Sequence, residues 1–177
     1  MQNIFIREAV PDDAKDIINV YYKTWLDTYP NDDLGITKDD IEDKYKNSFT
    51  EENINIQKER ILNLPENQKR FVAIIDDSIV GVSSVIRDEN FNQLKTIYVL
   101  PEYQGKGVGK KLWGAMKIFI DFNKDTTVNV ATYNKKAIGF YENLGFIDSG
   151  KRWVDEKWKM RSGAVLPEME MIIRADK

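Results

Sequence analysis

Between Leu94 and Lys111 the chain reads LKTIYVLPEYQGKGVGKK, and this stretch concentrates the residue types that bind an anion. Thr96, Ile97, Tyr98 and Val99 are β-branched or aromatic and predict a strand, which Pro101 ends because it has no N–H to give a ladder. Gly105, Gly107 and Gly109 then alternate with Lys106, Val108 and Lys110. Val108, Leu112, Met116, Phe119 and Ile120 follow at helical spacing and predict one apolar helix face. A strand, a glycine loop and a helix start together aim free backbone N–H groups and a positive helix end at one point. Lys106, Lys110 and Lys111 add side-chain charge there, so the ligand this stretch selects carries phosphate.

Three loop patterns bind phosphate in such a setting. A Walker A loop fails twice, because Gln104 stands where the first Gly is required and Lys111 where Ser or Thr must hold magnesium. A dinucleotide fingerprint fails because Lys110 occupies the place of its third Gly; Asp125, near the spacing of a ribose-binding acid, does not rescue it. A third pattern, Gln or Arg, two residues, Gly, one residue, then Gly or Ala, is met without a gap by Gln104-Gly105-Lys106-Gly107-Val108-Gly109. Here the sequence resembles the GNAT superfamily of acetyl-CoA-dependent N-acetyltransferases. The resemblance extends to Asn134-Lys135-Lys136-Ala137-Ile138-Gly139-Phe140-Tyr141-Glu142-Asn143-Leu144-Gly145-Phe146, about one βαβ unit downstream.

The composition narrows the chemistry. There is no Cys, hence no thiolate nucleophile, acyl-cysteine or disulfide. There is no His either, hence no imidazole base, no Ser-His-Asp triad and no usual zinc site. Acyl transfer must then proceed by direct attack of the acceptor in a ternary complex, with no metal. A net charge of −3 argues against broad nucleic-acid binding and favours a cationic or neutral partner. No apolar run approaches the ~20 residues that span a bilayer, and MQNIFIREAV lacks a signal-peptide pattern. A cytoplasmic protein with no membrane partner is expected, folded as a single domain over residues 1–177.

The remaining elements must position that loop. Asn3 to Glu8 reads as a first strand, and Pro11, Asp12 and Asp13 open a helix whose stripe is Ile17, Ile18, Tyr21, Tyr22, Trp25 and Tyr29. Thr37 and Asp40 have capping-box spacing, and residues 51–64 form a further helical pattern stopped by Pro65. Arg70–Ile75 and Ile79–Ile86 flank Asp76-Asp77-Ser78 as a hairpin. Thr126–Tyr133 is a strand, Lys135–Asn143 a helix capped by Gly145, and Phe146–Val154 with Ala164–Ile173 a closing strand pair. The order predicts an α/β (α+β) mixed sheet flanked by helices. Asp27, Asp32, Asp33, Asp39, Asp40, Glu42 and Asp43 face only Lys38 in that part of the sequence. They read either as caps and a solvated helix face or as an acidic mouth that steers a cationic amine.

The resemblance implies the GNAT fold, a mostly antiparallel central sheet in which two parallel strands splay apart around the cofactor's pantetheine arm. It implies backbone contacts to acetyl-CoA from Ile97, Tyr98 and Val99, with a Val99 N–H on the thioester carbonyl. It implies a pyrophosphate cradle from Gln104, Gly105, Lys106, Gly107, Val108, Gly109 and Lys110. Asn134, Ala137, Phe140 and Tyr141 complete the cofactor side, Tyr141 protonating the departing thiolate. Asn134 is equally an ordinary N-cap, and Tyr141 in isolation would be ordinary packing. Trp25-Leu26-Asp27-Thr28-Tyr29-Pro30 resembles the acceptor segment of small-amine members, with Trp25 and Tyr29 on the substrate. Together with the acidic segment it suggests a polyamine. Many members carry a Glu on the strand before the loop, where this chain has Asn92-Gln93-Leu94, so the base falls to Glu89, Asp27 or Glu168 through water. The alternatives are a protein N-terminal or lysine acetyltransferase and a non-catalytic acetyl-CoA sensor. Homodimers are common in the family.

Overall fold

The computed structural model describes residues 3–154, Glu156 and residues 159–175. Strand β1 (Phe5–Glu8) leads through a 3-10 turn at Pro11–Asp13 into helix α1 (Ala14–Thr28), then α2 (Lys38–Tyr45) and α3 (Glu51–Leu62). Next come β2 (Gln68–Ile75), β3 (Ser78–Arg87) and β4 (Phe91–Val99). Helix α4 (Val108–Lys117), β5 (Asp125–Ala131), α5 (Lys135–Glu142), β6 (Ile147–Val154) and β7 (Pro167–Ile173) complete the chain. Every element expected from the sequence forms, with ends moved by a few residues. Phe119 and Ile120 fall just past the end of α4, yet both join its apolar cluster.

The seven strands form one sheet in the order β1-β2-β3-β4-β5-β7-β6, antiparallel except where β4 meets β5. The β2–β3 hairpin closes through Asp76 and Asp77, both at positive φ (48° and 60°), the left-handed pair that matches strand twist in a two-residue turn. Gly81 on β3 faces α4, where an added Cβ would meet Val108 and Leu112 at 3.2 Å. Gly81 pairs with Val99, so Tyr98 points to the other face and meets Tyr21 of α1 edge to face at 5.4 Å. Helices α1 and α4 therefore cover opposite faces of the sheet. Trp113 and Met116 of α4 share an apolar cluster with Tyr141 of α5 and Phe146, which places α5 beside α4.

Two irregularities in β4 shape the site. Ser84 pairs with Thr96 but Val85 pairs with Leu94, so Lys95 is an extra, bulged residue. Pairing of β4 with β5 runs only from Phe91↔Asp125 to Leu94↔Val128, after which the two strands part. Beyond the bulge, Leu100 N–H donates to Val80 O at 2.9 Å. The antiparallel alternation then gives Tyr98 to β3 and turns the N–H groups of Ile97 and Val99 away from it, into the opening.

Candidate active site

Gln104 N–H donates to Pro101 O (3.2 Å), but the amides that follow it in the glycine loop are left uncommitted. Gly105 (φ 74°) and Gly107 (φ 86°) take left-handed conformations, with no atom within 4 Å of where a Cβ would stand. Gly107 is the N-cap of α4 and supplies no side-chain cap, and no acid sits in the first turn. The first bond into the helix from this end runs from Lys111 N–H to Gly107 O (3.1 Å), so the preceding N–H groups are unpaired within the helix. Gly109 serves closeness instead: a Cβ there would lie 3.0 Å from Phe140, so its absence lets α5 rest on the start of α4. Gln104 ties the loop to both neighbours. Its Nε2 donates to Val99 O (3.0 Å), and its Oε1 accepts from Lys136 Nζ (3.1 Å).

The parted strands open into a cavity of about 680 Å³ that runs through the sheet. From the α4 side it is lined by Gly105, Gly107, Val108, Gly109, Lys110, Phe140 and Tyr141; from the α1 side by Thr24, Thr28 and Tyr29; and between them by residues 95–99 of β4. Asn134 and Ala137 also line it, with Asn134 Oδ1 accepting from Ala137 N–H at 3.0 Å as the N-cap of α5. The Oγ1 atoms of Thr24 and Thr96 are buried without a partner in this wall. Buried hydroxyls are rarely left so.

Tyrosines line the opening from both sides. Tyr141 is buried to 6% exposure, and its hydroxyl makes no hydrogen bond to a described residue. The Tyr29 and Tyr98 hydroxyls are 3.0 Å apart, and Tyr133 OH donates to Tyr29 O at 2.8 Å. Burial pushes Tyr98 up to about 12 and raises Tyr29 and Tyr141 well above the usual phenol range. These hydroxyls therefore keep their protons at neutral pH.

Several residues singled out from the sequence lie elsewhere. Lys106 turns from the cavity to the ring of Tyr103, its Nζ 5.1 Å from the centroid. Trp25 stands behind the wall, its ring tilted against Tyr29 at 4.3 Å, with Lys44 Nζ 4.9 Å from it. No Asp or Glu is among the described residues lining the cavity. Glu89 lies in the β3–β4 turn, at the end of β4 away from Val99, and Asp27 is exposed outside the wall. Glu168 accepts from Trp153 Nε1 (3.2 Å), and its charge reaches Tyr98. Of the acidic segment, Asp40 is buried as a clamp, accepting from Thr37 N–H (2.9 Å) and Ser162 N–H (2.8 Å), and Asp43 pairs with Lys46 at 3.0 Å. Sequence reasoning missed Thr24, Thr96, Lys95 and Lys136. Lys95 and Thr96 lie inside the Leu94–Lys111 stretch and Lys136 inside the Asn134–Phe146 motif, whereas Thr24 had no such signal.

A family model described as "Acetyltransferase (GNAT) domain" matches residues 36–161, most of the chain. The protein belongs to the GNAT acetyltransferase family. GNAT enzymes take their acetyl group from acetyl-CoA. Solved structures agree on the fold. The PaiA N-acetyltransferase from Thermoplasma acidophilum in complex with coenzyme A is similar at TM-score 0.70 and 23% identity, over 95% of this chain and 98% of that one. An acetyltransferase of the GNAT family from Streptococcus pneumoniae is similar at TM-score 0.68 and 20% identity, over 98% and 100%. The ribosomal-protein-S18-alanine N-acetyltransferase from Escherichia coli is similar at TM-score 0.63 and 15% identity, over 99% and 96%. At these identities the likeness is one of fold. A search of curated protein sequences finds no match. Among the described residues there is no group of three or more metal-binding side chains, and no helix long and apolar enough to cross a membrane.

Proposed function

We propose that this GNAT protein transfers the acetyl group of acetyl-CoA to the primary amine of a small molecule, by direct attack within a ternary complex. The observation that carries this reading is the convergence of three features on one cavity: the uncommitted amides of the 105–110 loop, the turned-out N–H groups of Ile97 and Val99, and the buried Tyr141 hydroxyl. In this reading the loop amides and Lys110 hold the pyrophosphate, with Lys136 at its edge. The Ile97–Val99 edge bonds the pantetheine amides like an added strand. The Val99 N–H meets the thioester oxygen as charge builds on it, a donor worth about 3 kcal/mol in comparable oxyanion sites. Tyr141 protonates the leaving sulfur.

The acceptor would reach the thioester from the α1 side, past Tyr29 and Thr28. That wall offers hydroxyls and aromatic rings rather than carboxylates, so it suits an amine that arrives neutral. A polyamine acceptor rests on the Trp25–Tyr29 segment, since the acidic segment is spent partly on the Asp40 clamp and the Asp43–Lys46 pair. The same lack of a lining carboxylate favours the sensor as second reading, in which coenzyme A binds but no acetyl group moves.

Thiol release from acetyl-CoA across a panel of amines, with spermidine, benzylamine and a neutral amino-acid ester as members, tests this directly. The proposal expects at least one amine to raise thiol release well above hydrolysis. Calorimetric binding of coenzyme A with no release on any amine would favour the sensor. Spermidine turned over no faster than the amino-acid ester would remove the polyamine.

A further inference from the structure

We infer that the Tyr29 and Tyr98 hydroxyls, acting with Tyr141, carry the proton from the attacking amine round to the departing sulfur, so that transfer runs without a carboxylate base. The inference rests on the acetyl-transfer reading and adds to it the proton path that the missing strand Glu leaves open.

The two hydroxyls lie 3.0 Å apart, and either one can be the donor. A phenol donates one hydrogen bond while accepting others, so such a pair passes a proton by taking one and giving one at the same time. Their geometry is held from outside. Tyr29 packs against the tilted ring of Trp25 at 4.3 Å and is anchored through its carbonyl by Tyr133 OH, and Tyr98 packs edge-on to Tyr21. Tyr98 directly precedes Val99, so the residue that turns its N–H into the opening is joined to the one that sends its hydroxyl to the acceptor side. Tyr29, Tyr98 and Tyr141 line one cavity.

The balance needs no external reagent. The neutral amine nitrogen bonds to the thioester carbon, the carbon–sulfur bond breaks, and its electron pair leaves on sulfur. The nitrogen gives its proton to one phenol oxygen of the Tyr29–Tyr98 pair as that pair gives one on, and Tyr141 gives its own proton to sulfur. Tyr98 and Tyr141 are not directly hydrogen-bonded, so the relay requires a water or the substrate between them. Each tyrosine ends the cycle protonated, which suits groups that burial keeps in the phenol form.

The test is single-turnover acetylation of benzylamine and spermidine by wild type, Tyr29→Phe, Tyr98→Phe and the double variant, each with a proton inventory in mixed H₂O and D₂O. Both singles should lose about 10-fold or more in rate. The double should be no slower than the slower single, because a chain cut once is already cut. The inventory should be curved in wild type and linear in the variants, while coenzyme A affinity by calorimetry stays within about 2-fold. A purely structural role would not change the inventory's shape. Wild-type rates in both singles, losses that multiply in the double, or a linear wild-type inventory would overturn the relay while the transferase reading stands. If wild type turns over neither these amines nor any other, that reading fails and the relay with it. Should Tyr98→Phe not fold, the rate and inventory of Tyr29→Phe decide alone.

Discussion

Tyr141 illustrates how much a single side chain's meaning depends on its surroundings. Its ring packs edge-on to Phe140 and Phe146 like any core aromatic, yet the residue lines the cavity and its hydroxyl has no protein partner among the described residues. Burial holds its proton on, which is what a donor to a leaving thiolate requires. Tyr141→Phe keeps the ring and removes only that donor. It should lower turnover by about 10²-fold while leaving coenzyme A affinity within about 2-fold, read by steady-state kinetics beside calorimetry. Unchanged turnover would take Tyr141 out of the chemistry. At this scale the sequence was legible where the signal was local. The Gln104–Gly109 motif predicts a cradle, and Gly105 and Gly107 adopt the left-handed backbone such a cradle needs. The Tyr29–Tyr98 contact was not legible, because 69 residues separate its two hydroxyls and no spacing rule links them.

At the scale of elements, acids in the 27–43 segment show why charge counts mislead. Thr37 and Asp40 form the capping box their spacing suggested, but Asp40 goes further and binds Ser162 N–H, fastening α2 to the chain leading into β7. Burial alone would raise this carboxyl; the Thr37 and Ser162 N–H groups and the Thr37 hydroxyl outweigh it and hold it at about 2. An unfolded Asp titrates near ~3.9, so the folded group is depressed. Its contribution is therefore complete above about pH 5 and fades as pH falls from about 4 toward 2. Asp40→Asn should cost about 2 kcal/mol in urea unfolding at pH 7, and markedly less near pH 2.5. A penalty that stayed constant with pH would refute the charged clamp. The sequence could count these carboxylates but not orient them, since a cap and a solvated face look alike along the chain.

Across the whole molecule, the candidate site is a gap in a sheet that fails to close. Pairing between β4 and β5 stops at Leu94 and Val128, and the Lys95 bulge resets which β4 amides face the gap. The order of elements and a mixed sheet followed from periodicity and turn residues; its mostly antiparallel pairing was implied by the resemblance. The parting of the strands did not, because each strand alone looks ordinary and only the resemblance implied the split. Trp25 likewise was legible as part of an aromatic stripe, but not as standing behind Tyr29 rather than in the wall. All the proposed chemistry requires that coenzyme A occupy this split with its pyrophosphate on the α4 loop. Hydrogen exchange of the backbone amides, followed by mass spectrometry with and without saturating coenzyme A, tests that placement. The account predicts slowed exchange concentrated in peptides covering residues 97–110, with α3 and the β2–β3 hairpin unchanged; binding that leaves residues 97–110 exchanging as in the free protein would contradict it.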